Sequence, residues 1–171
     1  MQQPRRNLNV QKVPLSVLLW NVRGINAVKK QQYLDWLIRE QRPDIVMFNE
    51  TKLTSALYLN GYVSHQTLFK RSGGSITFSN LRNHKKVKAL GTYLLWSKVL
   101  LGGEEIHILN VYLEPGHEKF VVQRADKVIQ LTKDIVRQDA AAKIIVGGDV
   151  NGMFSKVNTS LLAAGFTPAL I

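Results

Sequence analysis

Apolar and polar residues repeat with two different periods along this chain, and the switches between them mark its elements. "PLSVLLWNV" (14–22) is a nearly unbroken run of strand-favouring apolar residues ended by Arg23-Gly24, which predicts a buried strand. "VKKQQYLDWLIREQ" (28–41) sets Tyr33, Leu34, Leu37 and Ile38 at helical spacing with charges opposite, and Pro43 stops it. "DIVMFNE" (44–50) returns as a second buried strand, so the chain opens strand–helix–strand. Four β-rich segments follow at 61–69, 74–80, 91–101 and 105–113, separated by "RSGG", by the basic "LRNHKKVK" and by "GGE", a pattern that predicts an antiparallel meander. A long amphipathic helix is expected over 118–138, with Val121, Ala125, Val128, Ile129, Thr132, Ile135 and Val136 on one stripe. "KIIVGG" (143–148) reads as another core strand, and 160–164 as a short helix. Interleaved strands and helices of this kind predict an α/β (α+β) domain with helices covering sheet faces.

Length and charge sharpen this picture. At 171 residues the chain suits one domain, expected at 14–171, behind a flexible basic tail at 1–13 that carries Arg5, Arg6 and Lys12. No apolar run approaches the roughly 20 residues needed to span a bilayer, and the start lacks the apolar centre of a secretory signal. An intracellular location is expected, with the nucleus and an organelle such as the mitochondrion both open. The absence of cysteine excludes disulfides, thiolate chemistry and cysteine-ligated metals.

The net charge of +11 is unevenly spread: residues 51–103 hold 8 basic groups and no acid, whereas residues 104–171 are nearly balanced, with 7 basic and 8 acidic groups. Lys52, Lys70, Arg71, Arg82, Lys85, Lys86, Lys88 and Lys98 make up that excess, and Arg23 lies shortly before it. Such a stretch attracts a polyanion through release of condensed counterions, so nucleic acid is the expected partner. A solvated face that aids solubility is the plainer alternative.

Three apolar strands end in polar groups: Asn21, Glu50, and Asp149 followed by Asn151. A buried carboxylate needs a cation, a donor or water, so strands that end this way suggest carboxyl ends converging on a site. Mg2+ takes oxygen ligands, often from only one or two carboxylates, and completes its shell with water and substrate phosphate. Glu50 suits that task, while Asp149 would take a proton from an attacking water and Asn151 would orient it. Each residue also has an ordinary reading as a turn former or a solvated strand end.

Taken together and in order, "LLWNVRG" with Asn21, "RPDIVMFNET" with Glu50, "GGSITFS", "IHILNVYLEPG" with Tyr112, and "IIVGGDVNG" with Asp149 and Asn151 resemble the endonuclease/exonuclease/phosphatase superfamily. They are most similar to the endonuclease domain of LINE-type (non-LTR) retrotransposons, over about residues 15 to 166. The resemblance implies a four-layer α/β/β/α sandwich of the deoxyribonuclease-like type. It also implies phosphodiester hydrolysis with Mg2+: Glu50 as metal ligand, Asn21 supporting metal and phosphate, Asp149 activating water, Asn151 positioning it or the phosphate, and Tyr112 donating its phenol to the phosphate. Arg23, Lys52, Lys70, Arg71, Arg82, Lys85, Lys86 and Lys88 would contact the nucleic-acid backbone.

The sequence departs from that family at its end. The family continues through further inner strands carrying an Asp and a terminal Asp-His pair, whereas here no residue after Asn151 is acidic or histidine. The expectation is therefore a sandwich lacking its final strands, with a missing segment or a protein partner covering the gap. Its expected function is a nuclease-derived, nucleic-acid-binding protein, weak or inactive alone and suited to a structural role in an RNA-containing assembly. The alternatives are an active DNA-nicking endonuclease of a retrotransposon, completed by residues from elsewhere, and a protein-binding scaffold.

Overall fold

The computed structural model describes residues 14–68 and 73–169. Its elements are β1 (Val17–Asn21), α1 (Val28–Gln41), β2 (Ile45–Asn49), β3 (Val63–Thr67), β4 (Ser75–Ser79), β5 (Arg82–Leu90), β6 (Leu94–Leu101), β7 (Glu104–Tyr112), α2 (Glu118–Gln138), β8 (Lys143–Asp149) and α3 (Phe154–Ala163), with a 3-10 turn at Asn151–Met153 before α3. The strands form two four-stranded sheets, ordered β1-β2-β4-β3 and β5-β6-β7-β8. β1 runs parallel to β2 and β7 parallel to β8, while the remaining pairs are antiparallel.

Strand alternation sorts each sheet's side chains between two layers of core. Between the sheets lie Ile45, Met47, Val99, Ile106 and Ile108. On the outer face of the first sheet, Val46, Phe48, Ile76 and Phe78 pack against Leu34 and Ile38 of α1. On the outer face of the second, Leu94, Leu109 and Val111 pack against Val121, Ala125, Val128 and Ile129 of α2 and Val157 of α3. The result is the expected helix–sheet–sheet–helix sandwich, with α2 burying all but one of its predicted stripe residues.

Several expectations change. The segment Arg82–Lys88 is not a connection but most of β5, a long outer strand. The β-rich middle of the chain is divided, β3 and β4 joining the first sheet and β5 to β7 the second. α3 begins at Phe154, six residues before the predicted start at 160, directly after the 3-10 turn. Tyr33 of α1 points outward and is half-exposed, against Trp36.

The largest change concerns β1 and β8. Both read as buried strands, yet both are sheet edges. Val17 and Leu19 of β1 are 41% and 45% exposed, and β8 has no fully buried residue. Apolar composition reports the faces a strand is suited to cover; it does not report whether a neighbour pairs with its edge. The two edges lie beside one another, so the sandwich is open along one side.

On the opposite side the sheets are latched by a buried histidine. His84 of β5 places Nδ1 2.8 Å from the Val63 carbonyl of β3 and Nε2 3.0 Å from Ser97 Oγ, with the His65 ring packed edge-on against it. A neutral ring serves both contacts, donating to the carbonyl and accepting from the hydroxyl. Burial lowers the His84 pKa from 6.5 to about 4, the Val63 carbonyl only partly opposing it.

Because the folded pKa lies below the unfolded one, the unfolded chain takes up a proton that the folded chain refuses. The stabilisation is complete above pH 6.5 and is lost as pH falls towards 4, up to about 3 kcal/mol. Urea unfolding at pH 7 and pH 4.5 should show this slope in the wild type and a flatter one in His84→Gln; equal slopes would contradict the latch.

Candidate active site

The two parallel pairings place polar strand ends side by side. In register, Asn21 lies beside Asn49 on the first sheet, and Tyr112 beside Asp149 on the second. All four occupy positions whose alternation faces the space between the sheets, so the carboxyl ends of β1, β2, β7 and β8 meet there.

Two buried amides join the sheets at this point. Asn49, fully buried, donates through Nδ2 to Asn110 Oδ1 at 2.7 Å and to Ser75 Oγ at 3.2 Å. Its Oδ1 accepts from the backbone N–H of Asp149 at 3.0 Å. Asn110, also fully buried, donates back across the gap to the Ile76 carbonyl at 2.9 Å and to Thr77 Oγ1 at 3.3 Å. The backbone that carries Asp149 is thereby fixed to the opposite sheet.

Gly148 completes that placement. Its φ is +140°, and a Cβ there would fall 1.8 Å from the Val111 carbonyl oxygen, so only glycine lets β8 lie this close to β7. The apolar "IIVGG" thus delivers Asp149 to the gap between the sheets. Its carboxylate is held on both oxygens: Oδ2 accepts from Asn21 Nδ2 at 2.8 Å and Oδ1 from the Asn151 backbone N–H at 3.0 Å. The second contact is an Asx turn, so the turn-forming and site-forming readings of Asp149 are both realised. Asn151 donates its side-chain Nδ2 to the Leu113 carbonyl at 2.8 Å, which leaves its carboxamide oxygen to accept from a ligand or water.

Glu50 stands on a strained loop. Glu50 and Lys52 have φ of +55° and +52°, Arg23 and Asn151 +48° and +45°, and these are four of the six non-glycine residues with positive φ among those described. Such conformations cost free energy and persist where surrounding structure enforces them. Here Gly24 and Ile25 donate to the carbonyls of Glu50 and Thr51, while Thr51 and Lys52 donate to those of Gly74 and Gly73. Lys52 Nζ lies 2.9 Å from Glu50 Oε1. The Lys52 ammonium, with help from the Asn21 amide, lowers the Glu50 pKa despite partial burial. Tyr112 is pushed up to about 12, first by burial and then by the carboxylates of Glu50, Glu114 and Asp149, so its phenol remains a donor at any physiological pH.

A cleft of about 400 Å3 opens beside Asp149, lined by Trp20, Asn21, Asn49, Asn151 and the exposed Phe154 among others. Of the predicted site residues, Asn21, Asp149 and Asn151 line this cleft, while Glu50 and Tyr112 lie outside its lining, with Glu50 and Asp149 both near enough to act on the Tyr112 phenol. Arg23 and Lys52 flank them. Lys70 and Arg71 lie outside the described residues, and Arg82, Lys85, Lys86 and Lys88 stand on β5, the edge of the second sheet farthest from β8. Asn49 and Asn110 went unnoticed in the sequence, although a lone amide inside an apolar strand ("IVMFN", "HILNVY") is a sign of a buried polar link.

The donor set is hard oxygen in kind, with one carboxylate, Glu50, held mainly by the displaceable Lys52 ammonium, which fits Mg2+ as a cation that takes few protein ligands. Among the described residues no three Asp, Glu or His side chains gather into a metal-binding group. Lys52 already supplies a positive charge to Glu50, so a cation there would share or displace it.

No protein-family model matches the sequence, and no curated protein matches it. Solved structures do. Truncated TDP2 from Caenorhabditis elegans is 21% identical with a TM-score of 0.58, over 80% of this chain and 62% of that one. The human Nocturnin catalytic domain with bound sulfate is 18% identical with a TM-score of 0.65, over 88% and 69%. The 3′ phosphatase NExo from Neisseria, bound to a product DNA hairpin, is 17% identical with a TM-score of 0.62, over 80% and 57%. The shared feature is the fold, and this chain spans less than two thirds of the TDP2 chain.

Replacing Asn49 by Leu would leave the Asp149 N–H and Asn110 Oδ1 without partners. A loss of roughly 2–4 kcal/mol is expected in urea unfolding; a loss below about 1 kcal/mol would show that the amide bridge does not hold the strand ends.

Proposed function

We propose that the chain is a nuclease-derived protein of the endonuclease/exonuclease/phosphatase type. It binds nucleic acid at the strand-end pocket, and its phosphodiester hydrolysis is weak or absent when it acts alone. The observation that carries this reading is the approach of Asn21, Tyr112 and Asp149 at the ends of β1, β7 and β8, with Glu50 on the loop after β2.

In such a pocket Asp149, oriented by Asn21 and by the Asn151 N–H, is the base that accepts a proton from water. The free carboxamide oxygen of Asn151 orients that water. The Tyr112 phenol donates to a non-bridging phosphate oxygen, and Arg23 and Lys52 add positive charge beside it. Glu50, with Asn21, would hold Mg2+, whose contribution when bound is to polarise the phosphate and offset its charge. Two features support weak catalysis: no histidine of the described residues lines the cleft, and Lys52 sits where Glu50 would meet a cation. Losing a group that stabilises developing charge costs on the order of 10² to 10⁴ in rate.

A second reading, an active DNA-nicking endonuclease of the LINE-type retrotransposon kind, is favoured by the exposed apolar edges of β1 and β8, which invite a polypeptide that would also wall the cleft. Plasmid relaxation with Mg2+ separates the two. This chain alone should bind DNA or RNA at low salt and nick little above background, with any residual nicking falling to background in Asp149→Ala and Glu50→Ala. Rapid nicking lost in those variants would overturn the first reading in favour of the second, and failure to bind nucleic acid even at low salt would overturn both.

A further inference from the structure

We infer that the outer edge of the second sheet, where β5 displays Lys85, Lys86 and Lys88, is a second contact for a nucleic-acid phosphate backbone, separate from the strand-end pocket. β5 lies three strands from β8, and Lys85 pairs with Lys98, which pairs with His107, five residues before Tyr112. At about 4.8 Å between strands and 3.4 Å per residue, Lys85 is roughly 20 Å from the Tyr112 backbone. The inference does not rest on the chemistry of the pocket.

The edge is built to show its charge. The register of β5 on β6 breaks twice, between Arg82 and Lys85 and between Lys86 and Lys88, and every residue from Lys85 to Lys88 is exposed. Lys85 and Lys86 keep continuous register and alternate between the two faces, and the shift after Lys86 re-aims Lys88. Among the described residues none of Lys85, Lys86 and Lys88 has a carboxylate partner; Lys98 reaches Glu105 at 3.5 Å. Lys85 stands directly opposite Lys98, a like-charge pair that disfavours the sheet. A concavity of about 410 Å3 is lined by Asn83, Lys85, Lys86 and Lys98, with one carboxylate, Glu105, the partner of Lys98, on its wall.

Lysines often protect an edge from pairing with another chain, but their distribution here does not follow that need. The open apolar edge β1 has no lysine and β8 has only Lys143, while β5, already interrupted twice, carries three. Compact ammonium charges on flexible stems suit phosphate recognised without regard to base sequence.

The test is fluorescence anisotropy with a labelled 20-nucleotide RNA and a 20-base-pair DNA of unrelated sequence, between 50 and 200 mM KCl. With each neutralised phosphate contributing about 0.7–0.9 to the slope of log affinity against log salt, K85Q/K86Q/K88Q should flatten that slope by about 2–3 and weaken binding about tenfold or more at low salt. K85R/K86R/K88R, which keeps the charge, should retain the wild-type slope. K127Q/K133Q, which removes two exposed charges from α2, should retain it as well, and because the slope is read without catalysis a failure of the pocket's chemistry leaves this result untouched. A wild-type slope in the glutamine variant would overturn the inference. So would an equal flattening in K127Q/K133Q, or binding to poly-glutamate with none to either nucleic acid.

Discussion

The pair of buried amides, Asn49 and Asn110, is the contact on which the rest of this molecule depends. Two sheets packed through apolar side chains alone could slide or tilt, because dispersion and the hydrophobic effect are not directional. Asn49 and Asn110 are directional: each donates or accepts across the gap, and Asn49 also takes the backbone N–H of Asp149. A shift of one sheet would leave several buried polar groups without partners, each costing about 1–3 kcal/mol. The same bonds that register the sheets therefore place a carboxylate where Asn21, Glu50 and Tyr112 can meet it. Stability and site geometry share one set of atoms.

The two long sides of the sandwich are built for different tasks. Along β3 and β5 the sheets are latched by His84, and the outermost strand is charged. Along β1 and β8 the sheets meet through Asn21 and Asp149 at the strand ends only, among the described residues, and apolar side chains half-face water next to the cleft. An edge of that composition is suited to further strands. The structures that share this fold have longer chains.

Much of this was legible in the sequence because it depends on local periodicity. α1 and α2 occupy the predicted spans, and β2, β4, β6, β7 and β8 fall on the apolar runs that predicted them. β5 was not legible: "RNHKKVK" has the composition of a turn or a charged loop, and it becomes a strand because β6 offers it a ladder. Nor was the exposure of β1, since the apolar pattern is the same whether or not an edge is covered. Within the site, Asn21, Glu50, Asp149 and Asn151 could be found as polar ends of apolar strands. Their closeness could not, because it follows from the pairing of Asn21 with Asn49 and of Tyr112 with Asp149, 28 and 37 positions apart in the chain. The contact between Lys52 and Glu50 depends on left-handed backbone at both residues, which neither residue type announces.

The pocket as it stands is an ion pair, Glu50 with Lys52, beside a fully held carboxylate, Asp149, and a phenol that stays protonated. A divalent cation at Glu50 has to compete with the Lys52 ammonium for the carboxylate. The direct measurement is a crystal structure of the protein soaked with Mn2+, in which anomalous scattering locates the ion. The account predicts one ion against the Glu50 carboxylate with the Lys52 ammonium moved off it. No ion at Glu50 under saturating Mn2+, or crystal coordinates in which Asn21, Glu50, Tyr112 and Asp149 lie on separate surfaces, would contradict it.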